Sequence, residues 1–188
     1  MKPTQRITFT ALAAAILAVL SIIPLPFSVL GVPMTLQTFA VAFCGFLLGR
    51  RLGPGAVGLY LFLGAIGLPV FSGMRGGFQQ FAGPTGGFLY GFLPMAFLCG
   101  LAGDRDPAGK PGAGRAVLRA LPGILLGFAG LLLCHLCGVL QLSFVGSIPF
   151  AAALRGASLP FLPKDLVSVA AAYALARLIR RRSPLPRA

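Results

Sequence analysis

The sequence contains no Glu, no Asn and no Trp, and its carboxylates number three in 188 residues: Asp104, Asp106 and Asp165. That is too little acidic surface to solvate a soluble domain, and with 57% hydrophobic against 10% charged residues water is not the main solvent of this chain. There is a single histidine, His135, with no carboxylate near it in sequence, which leaves poor material for a Ser-His-Asp or Cys-His arrangement. The four cysteines, Cys44, Cys99, Cys134 and Cys137, all fall inside apolar runs, where Cys behaves as a small hydrophobe, so no disulfide framework is expected. The stretch Cys134-His135-Leu136-Cys137 stands without a second ligand pair, and no metal site is expected from it. Gly103 to Pro111 has one residue too many between its glycines for a phosphate loop, and Pro111 where Ser or Thr should hold magnesium.

What is abundant is apolar sequence cut by Gly and Pro. The 26 glycines suit helices that pack closely in lipid. A span needs about 20 apolar residues, and about 17 at the least. Six segments qualify: Ile7 to Phe27, Val32 to Gly49, Gly53 to Phe71, Pro84 to Leu101, Ala116 to Leu142 and Pro163 to Ile179. The expected fold is therefore all-α, a polytopic membrane protein of six transmembrane helices in one membrane-embedded domain, 1-188.

Formal net charge is +13. In a soluble protein this would suggest nucleic acid, but the basic residues sit between apolar runs and not on one face, so no nucleic-acid partner is expected. With both termini cytoplasmic, only Arg75, Arg155 and Lys164 of the 16 Lys and Arg fall outside. Such asymmetry sets orientation in short-looped membrane proteins. The first span also has the basic start of a signal peptide, yet no small-x-small site follows Ile23, where the chain reads Pro24-Leu25-Pro26-Phe27; the span is expected to be retained.

The outward cations and Asp165, the one outward carboxylate, share a compartment and mark a candidate binding mouth. Arg75 lies in the glycine-rich loop from Phe71 to Gly87, which combines amides and aromatics and lets backbone approach a ligand. Pro163-Lys164-Asp165 opens the last span: Pro suits the first turn and Asp meets the positive end of the helix dipole, whereas Lys164 opposes that dipole unless an anion or Asp165 offsets it. Arg155, among Ala, Gly and Ser, reads as a solvated charge. Ala11, Ala14, Ala15 and Ala18 form a small-residue strip on the first span, and Gly45-xxx-Gly49, Gly87-xxx-Gly91 and Gly123-xxx-Gly127 offer similar packing faces.

The runs Val32-Pro33-Met34-Thr35-Leu36-Gln37-Thr38, Gly67-Leu68-Pro69-Val70-Phe71-Ser72-Gly73, Gly83-Pro84-Thr85-Gly86-Gly87-Phe88 and Phe161-Leu162-Pro163-Lys164-Asp165-Leu166 together resemble the BioY family, the biotin-specific substrate-binding (S) components of energy-coupling factor (ECF) transporters. The resemblance spans nearly the whole chain. It implies ATP-dependent biotin uptake across the cytoplasmic membrane, with a pocket that opens outward beneath the first and third extracellular loops. The chain would be no enzyme and carry no cofactor; its partners would be a transmembrane coupling subunit, docked on the strip Ala11, Ala14, Ala15 and Ala18, and two cytoplasmic ATPases. Biotin presents an apolar bicycle, a ureido group and a carboxylate. Phe71, Phe78, Phe81 and Tyr90 are expected as walls, Gln37, Gln79 and Thr85 as polar contacts, Arg75 or Lys164 as partner of the carboxylate, and Asp165 as binding group or helix cap. The sequence departs from the family pattern at Ser168, where a lysine is usual, and at Met74, where glycine is usual; Lys164, one turn before Ser168, is the expected replacement. A gradient-driven biotin carrier and an S component for another vitamin are the alternatives.

Overall fold

The structure, a computed structural model, describes residues 2–29, 32–105 and 116–182. Helix dominates. α1 (Pro3–Ile22) starts with Pro3 in its first turn, where a missing N–H costs nothing, and with the Gln5 amide oxygen accepting the Lys2 N–H at 3.2 Å. The chain then forms β1 (Pro24–Val29) and β2 (Val32–Thr35), an antiparallel hairpin in the register Val29 to Val32 and Pro24 to Thr35, with an irregularity between Pro24 and Ser28. The hydropathy pattern ran the first span through β1 and began the second in β2. α1 ends earlier, before Pro24 and Pro26, and α2 starts later, after Pro33, because proline lacks the N–H a helix interior needs.

α2 (Gln37–Ala65) contains a break at Gly49, with φ 83° and ψ 179°. The chain reverses there. A Cβ added to Gly53 would stand 2.8 Å from the Cα of Gly45, whereas eight residues of continuous helix span about 12 Å. Two antiparallel arms, 37–48 and 50–65, thus replace one rod. Gly49 carries the reversal because its positive φ penalises any side chain with a Cβ.

The remaining helices are α3 (Gln79–Ala82), α4 (Gly86–Arg105), α5 (Ala116–Gly146), α6 (Phe150–Ala157) and α7 (Leu162–Arg182). α6 and α7 meet at a 58° bend across 158–161, which includes Pro160. Neither α3, α6 nor the hairpin was indicated by the apolar runs. Lys110, Arg115 and Arg187, and the run Gly103 to Pro111 beyond Arg105, lie outside the described residues.

Among the described residues, three helices are long and apolar enough to cross a membrane, and four if the bent pair counts as one span. The arms of α2 are each shorter. α2 packs on α1, α4 and α7, α4 on α5, and α5 on α6 and α7. Small residues set the spacing: a Cβ on Gly45 would stand 2.7 Å from the Cys99 Cβ, on Gly91 2.7 Å from the Cys134 Cα, and on Gly127 2.6 Å from the Phe46 ring. All three glycine pairs named from sequence face neighbouring elements of the same chain.

The alternating helices define two ends. α7 starts beside Thr35 of β2 and finishes where Arg180 donates to Leu47 O (2.9 Å) and Gly103 O. Arg50 at the α2 reversal meets Asp104 at the same far end. The start of α1 belongs there too, since Thr10 faces Gly55 and Ala13 O faces Cys44. Pro3 and Arg182 therefore lie at one end, and β2, the 66–85 loop and the α6–α7 bend at the other.

Candidate functional site

At that other end is a cavity of ≈330 Å³, within the size range of small-molecule sites. Met34 and Thr35 of β2, Gln37 and Thr38 of α2, the loop residues Phe71, Ser72, Gly73, Arg75, Gln80, Pro84 and Thr85, and Phe88, Leu89 and Phe92 of α4 line one part of it. Leu131, Cys134, His135 and Leu142 of α5, with Ala157, Phe161, Lys164 and Asp165, line the rest. Every helix except α1 contributes a lining residue, and so does β2.

The loop is shaped by its own backbone. Phe71 N–H donates to Arg75 O (2.9 Å) and Arg75 N–H to Phe71 O (3.3 Å), closing a tight turn whose Gly73 and Met74 adopt φ 72° and 57°. A methionine in the left-handed region costs about 1–2 kcal/mol relative to its ordinary conformations. Position 74, where the family pattern has glycine, is thus one whose backbone favours glycine. The loop is moored to α5 by Gln141, whose amide nitrogen donates to Phe81 O at 2.6 Å and Gly83 O at 2.7 Å. The Phe71 ring lies over Gly64, where any Cβ would collide with it.

Opposite polarity concentrates at the α6–α7 bend. Lys164 Nζ lies 2.5 Å from Asp165 Oδ1 and donates to Thr35 O at 2.9 Å. Asp165 Oδ2 lies 3.2 Å from His135 Nε2, and His135 Nδ1 lies 2.8 Å from Ser158 Oγ. Asp165 and His135 are buried, at 4% and 5% exposure. A cation in the first turn of α7 is tolerated because the adjacent carboxylate neutralises it and complements the dipole.

Of the residues named from sequence, the cavity gathers Gln37, Arg75, Thr85, Lys164 and Asp165. Gln37 is braced from behind, its amide donating to the Tyr60 hydroxyl (2.8 Å), which donates to Val70 O (3.2 Å). Arg75 is exposed and has no ion pair among the described residues. Gln79 and Tyr90 do not line the cavity. Gln79 is exposed and turns back to Gly76 O at 3.0 Å. Half-exposed Tyr90 packs its ring 5.6 Å from that of Phe81. Phe81 and Phe78 likewise stand behind Phe71 and not in the wall, which Phe88, Phe92 and Phe161 complete. Ser168 is buried and outside the lining.

Sequence reading missed His135 and Ser158. No carboxylate is near His135 in sequence, but Asp165, thirty residues on, is brought to it by the packing of α7 on α5. Both ring nitrogens are engaged, so Cys134-His135-Leu136-Cys137 is no open ligand set; Cys134 donates to Phe88 O at 3.6 Å. The only sequence signal was a lone polar residue within a long apolar run. On α1, Ala11 and Ala15 are exposed and Ala18 is half-buried, but Ala14 is turned into the chain's own core, so the four do not share one open face.

Residues 1–185 match the family model of the BioY family. The chain is 37% identical over 185 residues to the biotin transporter BioY of Rhizobium etli, covering 97% of this chain and 96% of that one. It is likewise 37% identical to the biotin transporter BioY of Rhodobacter capsulatus, covering 96% and 95%. Among solved structures it resembles the S-component for biotin from an ECF-type ABC transporter, with a TM-score of 0.78 and 29% identity over 97% of this chain and 96% of that one.

Proposed function

We propose that this chain, which belongs to the BioY family and is a membrane transport protein and not an enzyme, binds biotin in the ≈330 Å³ cavity as the S component of an ECF-type importer. The observation that carries the reading is the division of charge around an apolar chamber. Lys164 is already paired with Asp165, while Arg75, in a separate loop, has no ion pair among the described residues. A carboxylate gains most from the cation that has no partner, so Arg75 receives the biotin carboxylate. The Lys164–Asp165 pair offers a donor beside an acceptor, the pattern complementary to the C=O and N–H of a ureido group. Phe71, Phe88, Phe92 and Phe161 supply apolar wall for the bicycle.

The six helical segments that alternate between the two ends act as six spans, with the short α2 arms flanked by longer neighbours. Both termini face the cytoplasm and the cavity faces outward, in keeping with the distribution of Lys and Arg. The membrane is the cytoplasmic one. A transmembrane coupling subunit and two ATPases complete the transporter, and the exposed Ala11 and Ala15 with half-buried Ala18 form the face on which the coupling subunit docks.

The test is a titration of the purified chain with biotin and with biotin methyl ester, repeated on Arg75→Ala and Lys164→Ala. Saturable biotin binding that is weakened by esterification in the wild type but not in Arg75→Ala supports the reading and places the carboxylate. Folded protein with no saturable biotin binding removes biotin as the ligand. Uptake into liposomes holding this chain alone, without ATPases, would instead favour a gradient-driven carrier.

A further inference from the structure

We propose that His135 is a positioning residue for ligand recognition: it clamps the Asp165 carboxylate so that an acceptor oxygen stays directed at an N–H of the bound ligand. This rests on the biotin reading above and adds to it a residue that sequence gave no role.

His135 adds a side-chain bridge between two segments whose backbones already meet where Leu162 N–H donates to Ser158 O at 3.0 Å. Its Nδ1 meets Ser158 Oγ at the end of α6 (2.8 Å), and its Nε2 meets Asp165 Oδ2 in the first turn of α7 (3.2 Å). Ser158 is itself fixed, its N–H donating to Leu154 O at 3.1 Å. The imidazole is held edge-on against the Phe88 ring, 5.7 Å between centroids at 87°. Roles follow by elimination. With Lys164 Nζ at 2.5 Å from Oδ1, Asp165 is an ionised acceptor, so Nε2 carries a hydrogen and donates to Oδ2, and in the neutral ring Nδ1 accepts the Ser158 hydroxyl.

Asp165 is thereby pulled from two sides, by Lys164 on one oxygen and His135 on the other. A carboxylate offers about four lone-pair sites, two of which are spent here, and the residue borders the cavity. Among the described residues no other side chain holds Asp165 Oδ2, so without His135 the carboxylate is free to rotate about its last bond toward a two-oxygen pairing with Lys164. The acceptor presented to the cavity would turn away while the ion pair, and with it the fold, persisted. The loss would therefore fall on ligand N–H groups specifically.

The experiment measures affinity of wild type, His135→Phe, His135→Gln and Ser158→Ala for biotin and for a biotin analogue methylated at both ureido nitrogens, with thermal unfolding of each. His135→Phe keeps an aromatic ring and removes both polar contacts; it is expected to weaken biotin about 10- to 100-fold, the range for a hydrogen bond to a charged group, and to leave the analogue nearly unchanged. His135→Gln replaces the Nε2 donor and is expected to recover affinity to within about fivefold of wild type. Ser158→Ala, which frees the ring without removing its donor, is expected to cost about threefold, and it carries the test if His135→Phe fails to fold. Equal weakening of both ligands in His135→Phe, or no recovery in a folded His135→Gln, or unchanged selectivity throughout, overturns the proposal. Failure of the biotin reading is seen separately, in a wild type that binds neither ligand.

Discussion

The two ends of the helical bundle use the same residue types to opposite effect. Far from the cavity, Arg180 donates to Leu47 O and Gly103 O, which lie where the first arm of α2 and α4 run out, and Arg50 N–H donates to Asp104 Oδ2. Those carbonyls belong to the last turns of helices, where no intrahelical donor reaches them, so the cation closes a gap the fold itself creates. At the cavity end Lys164 spends two of its three donors within the chain, Arg75 has no ion pair, and the Ser72 hydroxyl has no hydrogen-bond partner among the described residues. Polar groups that are saturated hold helices together; polar groups left short of partners on a cavity wall are poised for a ligand. Substitutions at the first end should therefore move stability alone, and substitutions at the second should move affinity.

The largest expected effect tests where the two roles overlap. Asp165→Ala leaves Lys164 without its counter-ion and His135 without its acceptor; breaking such a buried pair is expected to cost about 3–5 kcal/mol of stability, and biotin binding should be lost with it. Thermal unfolding with and without biotin reads both. Next comes Arg180→Ala, expected to lower stability by about 2 kcal/mol through two abandoned helix-end carbonyls while biotin affinity stays at the wild-type value. A drop in affinity there would erase the contrast between the ends.

Arg75→Ala should show the reverse pattern: about tenfold weaker biotin, as for one exposed charge-assisted contact, with stability and methyl ester affinity unchanged. A smaller effect, about 1 kcal/mol, is expected from Gln141→Ala, which unmoors the loop at Phe81 and Gly83 and should appear as faster biotin dissociation in stopped-flow measurements. The smallest is a gain. Met74→Gly relieves a left-handed methionine and should raise the unfolding temperature slightly, the favourable φ being partly offset by the entropy glycine loses on folding.

Much of this molecule was legible as a pattern of hydrophobic runs. Each of the six expected segments contains a helical stretch, since an apolar run that must satisfy its backbone in lipid has little choice but helix. The glycine pairs were readable for a similar reason: in lipid, helices approach closely where side chains are small. The ends of those segments were not readable, and the hairpin of β1 and β2 took residues from two of them, because hydropathy does not distinguish an apolar strand from an apolar helix. Arg75, Lys164 and Asp165 stood out because they violate the distribution of charge. Gln79, in the Arg75 loop, and Tyr90, on α4, were chosen by chemistry, and the local backbone turned Gln79 back on Gly76 and Tyr90 onto Phe81.

What the sequence determined by itself is the solvent, the helical segments and the sparse charges that cannot be left in lipid unpaired, because each follows from local composition. What the tertiary structure alone decided is who pairs with whom. Ser158, His135 and Asp165 lie on three elements with no shared sequence pattern, and Lys164 reaches Thr35 across the whole intervening chain. Such partners are set by how helices pack and where they bend, through contacts between residues remote in sequence, and no period or spacing along the chain encodes them.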